Sequence, residues 1–523
     1  MSTGKVIARA TVVLAVLTLL SKILGIIRDQ AVAYMFGATG TTDAYLVAFN
    51  IPYTFFYIVI GALATVVVPV FTEYSASGRK DEAWRLFSTV ITILVLIFLF
   101  VTVLGIIFAP FLVKITAPGL NAHTSALAVH LTKIMLPILI VYGLSTVFQG
   151  LLNANQVFGI PAFSTSVTNL TIILSALTLG AKYGINGLAV GSVLGFTLAA
   201  LVQVPVLKKL GFSYRFSLNW RHPGIRKVLY LVMPVAVGTS MNQTYQIIDR
   251  ILASGLGQGS ISALNYANKL ILMPVSFFGI AIGTAFYPTI TMLAARHKHD
   301  ELADTVRRAV RAVVLFALPA SIGLFMLATP IVQLLFQHGN FDARATGMTS
   351  FALAMYAIGL TGQAANVVLT RAFYAQQDTK TPVKLMGITI LVNLVFSLTL
   401  IGSLKQGGLA LANSIASLLN TAMLSYFLQK HIPGLWNRRI VKFFIQLATA
   451  SVLITIAIRE TSRFAAAHFG GTGFAALLLQ VGLSILAALI VYLLCIFTLK
   501  MEEAAMVCSY AGKLRHRILP VRS

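Results

Sequence analysis

The sequence predicts an all-α, polytopic membrane protein with about fourteen transmembrane helices. Of its 523 residues 58% are hydrophobic and only 10% charged. Apolar runs of about 20 residues, enough to cross a hydrocarbon core roughly 30 Å thick, recur from end to end. The basic residues also alternate between rich and poor loops, as the loops of a many-pass protein do. The spans expected from this pattern are 8–34, 44–74, 86–112, 126–151, 160–181, 185–207, 226–253, 260–293, 309–335, 348–373, 382–403, 407–429, 439–458 and 473–499.

The first span begins after Lys5 and Arg9, and its apolar run continues past Leu20 into a charged stretch. It is too long for a signal peptide and reads as a retained helix. With the amino terminus in the cytoplasm, the loops and tail on that side hold 28 of the 39 Lys and Arg. They include Arg79, Lys80, Arg85, the cluster 208–227, and the groups at 296–311, 430–442 and 500–522. The opposite loops hold six: Lys114, Lys182, Arg344, Lys405, Arg459 and Arg463. This asymmetry puts both termini in the cytoplasm, requires an even number of spans, and explains most of the +25 net charge without nucleic acid. Cys495 and Cys508 have no second cysteine near either, so no disulfide or thiolate metal site is expected.

An internal repeat organises the chain. Gly159-Ile160-Pro161 followed by Asn186-Gly187-Leu188-Ala189 recurs, 221 positions later, as Lys380-Thr381-Pro382 followed by Gly407-Gly408-Leu409-Ala410. At that offset Ile26-Ile27 falls on Ile247-Ile248, Ala44-Tyr45 on Asn265-Tyr266, and Asn155-Gln156 on Gln376-Gln377. Residues 1–222 and 223–432 are therefore expected as two parallel six-helix repeats, with 433–500 as two appended helices and 501–523 as a basic cytoplasmic tail. Transporters built from parallel repeats place their site near the midplane and work by rocking one half against the other.

Apart from those at the cytoplasmic ends of spans, five cations lie inside spans: Lys22, Arg28, Lys133, Arg250 and Lys269. In lipid, five charges at about 3 kcal/mol each would cost on the order of 15 kcal/mol, so a hydrated cationic cavity is the more economical reading. At 100° per residue Lys22, Gly25 and Asp29 share about 60° of one helix face, with Arg28 on its flank. In the second copy Asn242, Gln246, Asp249 and Arg250 follow the corresponding stripe, and the next helix adds Asn265, Asn268 and Lys269. Lys133 stands alone in the fourth span. Arg28 with Asp29, or Asp249 with Arg250, could instead be ion pairs that only join helices. Adjacent residues point about 100° apart, which argues against simple neutralisation. Clustered Lys and Arg facing a cavity imply an anionic substrate such as a phosphate.

Bond-breaking chemistry finds no motif. There is no Walker loop, His-Glu-x-x-His helix or nucleophile elbow, and no cofactor or metal is expected. Gly255-Leu256-Gly257-Gln258-Gly259 reads as a turn between spans, and His297-Lys298-His299-Asp300 as a solvated loop.

Ser21-Lys22-x-Leu24-Gly25-x-x-Arg28-Asp29, with Phe36-Gly37 and Thr42-Asp43-Ala44-Tyr45, resembles the opening signature of the MurJ (MviN) lipid II flippases. These belong to the multidrug/oligosaccharidyl-lipid/polysaccharide (MOP) exporter superfamily. The resemblance continues through Pro69-Val70-Phe71-Thr72-Glu73-Tyr74, Thr116-Ala117-Pro118-Gly119, Tyr266-Ala267-Asn268-Lys269, Leu335-Phe336-Gln337-His338-Gly339 and the stretch Phe373 to Pro382. It implies a fourteen-helix fold around a central cationic cavity, the appended helices forming a groove for a lipid tail. It also implies a non-enzymatic flippase that moves undecaprenyl-pyrophosphate-linked lipid II from the inner to the outer leaflet of the bacterial cytoplasmic membrane. The family's essential positions fall on Lys22, Arg28, Asp43 and Lys269; Asp29, Lys133, Asp249 and Arg250 complete the candidate substrate-binding set. The implied partners are the lipid-linked anion, membrane lipid and the cell-wall synthesis machinery, with no nucleic acid and a monomeric protein.

The chain departs from the family in its second span, where proteobacterial members carry a basic pair and a Glu-Gly and this sequence has Phe56-Tyr57 and Gly61-Ala62. Lysine replaces arginine at 22 and 269, which removes the bidentate fork there. Other superfamily branches export different polyprenyl-linked oligosaccharides through the same kind of cavity. A drug antiporter would want a net acidic cavity, and a membrane glycosyltransferase would need outward loops carrying carboxylates, whereas the outer loops here are short.

Overall fold

The computed structural model describes residues 3–219, 223–469 and 473–501; the basic tail beyond Met501 lies outside the described residues. Its first part contains helices α1 (Thr3–Phe36), α2 (Gly40–Ala76), α3 (Lys80–Ile107), α4 (Ala109–Thr116), α5 (Ala122–Met135), α6 (Ile138–Ala154), α7 (Gly159–Leu177), α8 (Leu179–Tyr183), α9 (Ile185–Leu201) and α10 (Val204–Lys209). There follow α11 (Pro223–Ser254), α12 (Ser260–Pro274), a π-helical turn (Val275–Ile280), α13 (Ala281–Ala295), α14 (His299–Met326) and α15 (Ala328–Phe336). The last helices are α16 (Ala343–Ala375), α17 (Lys380–His431), α18 (Arg438–His468) and α19 (Phe474–Thr498).

Every expected span falls on one of these helices or on consecutive pieces of them. Among the described residues nine helices are long and apolar enough to cross a membrane, and α5 with α6, bent by 43°, makes a tenth. Helix α17 is two spans run together, with a non-helical residue, Lys405, at the join. The breaks have local causes. Pro137 separates α5 from α6, and Pro110 and Pro330 lie in the first turns of α4 and α15, where a missing N–H costs nothing.

Two backbone features recur at the offset of 221. Gln156 and Gln377 both adopt left-handed φ, 60° and 61°. So do Gly184 at 61° and Lys405 at 49°, again 221 positions apart. A lysine holding a conformation that its counterpart fills with glycine indicates that the turn is set by the helices on either side rather than by local preference.

The chain divides into two compact units. The first comprises residues up to Ser262 with His338–Ala345, and the second Ala263–Gln337 with the residues from Thr346 onward. In the first, α7 packs on α1 and α9, while α2 packs on α5, α6 and α11. Small residues let these helices approach, as membrane interfaces require. A Cβ on Gly191 would lie 2.1 Å from Cβ of Ser175, and one on Gly187 2.1 Å from the carbonyl oxygen of Leu179. Near the end of α2 the rings of Phe71 and Trp84 stand 4.6 Å apart, with Phe87 5.7 Å from Phe71. This aromatic cluster ties α2 to α3.

In the second unit α18 and α19 pack on each other and on α14. Arg307 of α14 donates from Nε to the Leu435 carbonyl and from Nη2 to the Gly434 carbonyl, 3.0 Å each. One turn on, the Arg311 guanidinium lies 4.8 Å over the Phe443 ring, and the Tyr492 hydroxyl of α19 donates to the Leu315 carbonyl. These bonds attach the appended helices to α14. At the start of α17, Asp378 accepts the N–H groups of Lys380 and Thr381, 3.0 Å each. Partial burial would raise its pKa, but these hydrogen bonds and the nearby His431 prevail and hold the carboxyl below its usual range.

The glycine contacts are testable in the purified protein. Gly187→Ala forces backbone to move and should destabilise by about 1–3 kcal/mol, read as a lower melting temperature in detergent. Gly323→Ala in α14, where a Cβ meets nothing within 4 Å, should leave that temperature unchanged or raise it.

Candidate functional site

The charged stretch of the first helix forms a bonded cluster in the first unit. Arg28 donates from Nε and Nη2 to one oxygen of Asp29, at 3.1 and 2.9 Å. From Nη1 it donates to Oδ1 of Asn169 on α7, at 3.0 Å. Asn169 in turn donates from Nδ2 to the Ser21 carbonyl, 3.0 Å away, back on α1. The argument that Arg28 and Asp29 point too far apart to neutralise each other is therefore corrected. A long guanidinium side chain spans the angular offset, and both side chains are largely withdrawn from solvent, at 26% and 13% exposure. The pairing offsets the cost of carrying either charge into the membrane. A guanidinium has five N–H donors, and three are committed, so two remain for an anion.

Lys22 lies six residues earlier on the same helix and is exposed. An aromatic ladder from α2 flanks the cluster: Tyr45 stacks toward Phe49 at 6.0 Å and Phe49 toward Tyr53 at 6.0 Å. Tyr45 and Tyr53 both lie within electrostatic reach of Arg28, and Tyr45 is anchored by a 2.8 Å bond to Ser192 of α9.

A second polar cluster closes one end of the unit. Asp43, only 3% exposed in the first turn of α2, accepts the Gly259 N–H at 2.6 Å, the Ser262 N–H at 2.8 Å and the Ser262 hydroxyl. It thereby caps the start of α12 from 219 positions away, and a carboxylate at a helix N-terminus also meets the favourable end of the dipole. Asn340 serves the opposite polarity at the end of α1. Its backbone N–H donates to the Tyr34 carbonyl at 2.9 Å and its Nδ2 to the Met35 carbonyl at 2.6 Å. Two glycines with left-handed φ permit this approach. A Cβ on Gly37 would come 2.3 Å from the Asn340 oxygen, and one on Gly339 2.4 Å from the Tyr34 oxygen. Gly119 completes the closure by donating to Ser254 Oγ at 3.0 Å. A cavity of about 220 Å³ remains here, lined by Asp43, Asn121, Thr124, Ser254, Gln258 and Ile261 among others. All these loops are on the side that the basic-residue asymmetry assigns to the outside.

The other expected residues are placed less closely together. Lys133 is exposed in the last turn of α5. Asp249 and Arg250 are half-buried near the end of α11, and Nη1 of Arg250 is buried with no hydrogen-bond partner. Lys269, half-buried on α12 with Asn265 and Asn268 nearby in sequence, belongs to the second unit. The side chain of Asn242 lies outside the described residues. Gly255–Gly259 is a turn, and no group of three or more metal-type ligands occurs among the described residues. Sequence reasoning missed Asn169 and Asn340. The signal for Asn169 was available, as an amide inside an otherwise apolar span; Asn340 had none, because the Met35 carbonyl that its side chain bonds lies 305 positions away.

Comparison with known proteins puts these features in a family context. The family model described as lipid II flippase MurJ matches residues 32–480. The lipid II flippase MurJ of Burkholderia cenocepacia is 34% identical over 463 residues, covering 85% of this chain and 88% of that protein. A probable lipid II flippase MurJ of Vibrio cholerae is 31% identical, covering 87% and 89%. A solved lipid II flippase MurJ in an inward closed conformation superposes with a TM-score of 0.79 at 26% identity, covering 93% of this chain and 99% of that one. An inward-facing MATE family transporter of the MOP superfamily has a TM-score of 0.67 at 15% identity, covering 81% and 98%, a likeness of fold alone.

Asp43→Asn tests the closure. An amide can still accept from Ser262, but its NH₂ would face the Gly259 N–H, donor against donor. A cysteine at Gln258 should then react with a thiol reagent several-fold faster in detergent than in the parent protein. An unchanged rate would show that Asp43 does not hold this loop.

Proposed function

The chain belongs to the MurJ family of lipid II flippases, and we propose that it carries lipid II, the polyprenyl-pyrophosphate-linked peptidoglycan precursor, from the cytoplasmic to the outer leaflet of the bacterial cytoplasmic membrane. The observation that carries this reading is Arg28: a guanidinium inside a membrane helix, held by Asp29 and Asn169 with two N–H groups to spare. A pyrophosphate is the part of a lipid-linked sugar most in need of such donors once it leaves water. Lys22 and Arg28 are the cations assigned to it, with Lys133 and Arg250 of the same unit as further candidates; Lys269 is a candidate by its family position alone. No bond is made or broken; the protein is a transporter rather than a hydrolase. Both termini are cytoplasmic, the repeats 1–222 and 223–432 are the halves that alternate, and 433–500 guides the lipid tail.

Alternating access needs an outer closure that can open. The bonds from Gly259, Ser262 and Asn340 number five, and at a net 0.5–1.5 kcal/mol each they hold the closed state by about 5 kcal/mol. A bias of that size shifts a two-state equilibrium by roughly 10⁴, within reach of a ligand with different affinities for the two states. Every group involved can bond water on the outer side instead, so the closure can open without leaving buried polar atoms unsatisfied.

Arg28→Ala should abolish complementation of a flippase-depleted strain while the protein still accumulates in the membrane, and lipid II should build up in the inner leaflet. Lys22→Ala should be severe and Lys22→Arg tolerated, because a positive charge is what the phosphate requires. Normal growth with Arg28→Ala would remove this residue from the site; accumulation of a different lipid-linked glycan on depletion would redirect the function to a sister exporter. The topology is checked by cysteine labelling in whole cells: a cysteine at Lys298 should be protected and one at Asn340 accessible to an impermeant reagent.

A further inference from the structure

We infer that Asn169 is a positioning residue for Arg28: it fixes the direction in which the guanidinium presents its two remaining N–H groups. The inference rests on the reading of Arg28 as a pyrophosphate ligand. Asp29 alone would hold Arg28 loosely, because the bonds from Nε and Nη2 converge on the single atom Oδ1 and the guanidinium plane can rock about it. Asn169 accepts from the remaining nitrogen, Nη1, and so supplies a second, separate anchor.

Asn169 is itself held in one orientation. It is 5% exposed, and its two bonds make opposite demands. Arg28 can only donate and the Ser21 carbonyl can only accept, so the amide cannot flip without losing both. The bonds also lash α7 to α1 on both sides of Gly25, where a Cβ would stand 3.8 Å from the amide nitrogen. Residues 21, 25 and 28 thus form one face of α1 on which the amide lies. The neutrality of the amide matters as much as its geometry. A carboxylate at 169 would accept from Arg28 equally well, but two carboxylates around one guanidinium would leave a net negative cluster that repels a phosphate. It would also face the Ser21 carbonyl with an acceptor.

The experiment uses the full chain purified in detergent, with lipid II as the probe and binding read by native mass spectrometry. Asn169→Ala should weaken binding about tenfold, as expected for losing one hydrogen bond to a charged group. Asn169→Asp, nearly isosteric, should weaken it further with a melting temperature close to that of the parent. In an Arg28→Ala background, Asn169→Ala should change affinity by less than about twofold, since a residue that acts through Arg28 has nothing left to act on. A tenfold loss from Asn169→Ala in both backgrounds would make the role structural and overturn the inference. So would parent-like binding by Asn169→Ala while Arg28→Ala is impaired, or Asn169→Asp binding better than Asn169→Ala. If Arg28→Ala binds too weakly to complete the cycle, the order of the Asp and Ala variants decides. Parent-like binding by Arg28→Ala would instead overturn the pyrophosphate reading itself.

Discussion

A guanidinium inside the membrane must be compensated by the protein, and much of the first unit is arranged around that requirement at Arg28. Leaving the charge to lipid would cost about 2.5–3.5 kcal/mol even on lenient scales. Asp29 offsets the charge and Asn169 satisfies a third N–H, so α7 must lie directly against α1. That close contact continues into α9 through glycines, where Gly191 meets Ser175 and Gly187 meets Leu179. The helix packing and the polar site are therefore one constraint. Side chains large enough to fill these interfaces would push α9 away from α7 and α8.

Two turns recur in the backbone 221 positions apart. Lys405 repeats the left-handed turn of Gly184, and Gln377 repeats Gln156. In the second unit α16 and α17 are joined by neutral groups. Gln363 donates to Asn413 at 3.1 Å, Asn366 to the Ser417 carbonyl at 3.2 Å, and Thr421 to Asn366 at 3.0 Å. Interhelical bonds between neutral groups in a membrane contribute modestly, on the order of 0.6 kcal/mol each. A lattice of them defines helix register without creating a field that competes for an anion.

The sequence made the spans legible because lipid admits so few alternatives. A backbone crossing hydrocarbon must satisfy its own hydrogen bonds, so a run of about 20 apolar residues is almost necessarily a helix. Lys22 and Arg28 stood out for the same reason, as charges inside such a run, whereas Asp43 was marked only by the family resemblance. The breaks at Phe108 and Leu327 were signalled by Pro110 and Pro330 but were not read, since the apolar stretch runs on through each. Nor was the Arg28–Asp29 pair: helical angles describe where Cβ atoms point, whereas a guanidinium sits several rotatable bonds beyond. Asn340 and Ser262 escaped because their partners lie 305 and 219 positions away.

The same physics separates what is fixed in this protein from what can move. Around Arg28 the bonds join side chains of α1 and α7, and Asn169 is 5% exposed, so breaking one leaves the amide without a substitute partner. At the ends of α1, α2 and α12 the bonds join helix termini to loops, and a terminus has unsatisfied N–H or C=O groups in any conformation. Asp43 and Asn340 satisfy those groups in the closed state, and water satisfies them in an open one. On the proposed function the rim releases while the helices that carry the charges stay intact: the bonds at the helix ends are replaceable by water, and the side-chain bonds between α1 and α7 stay in place.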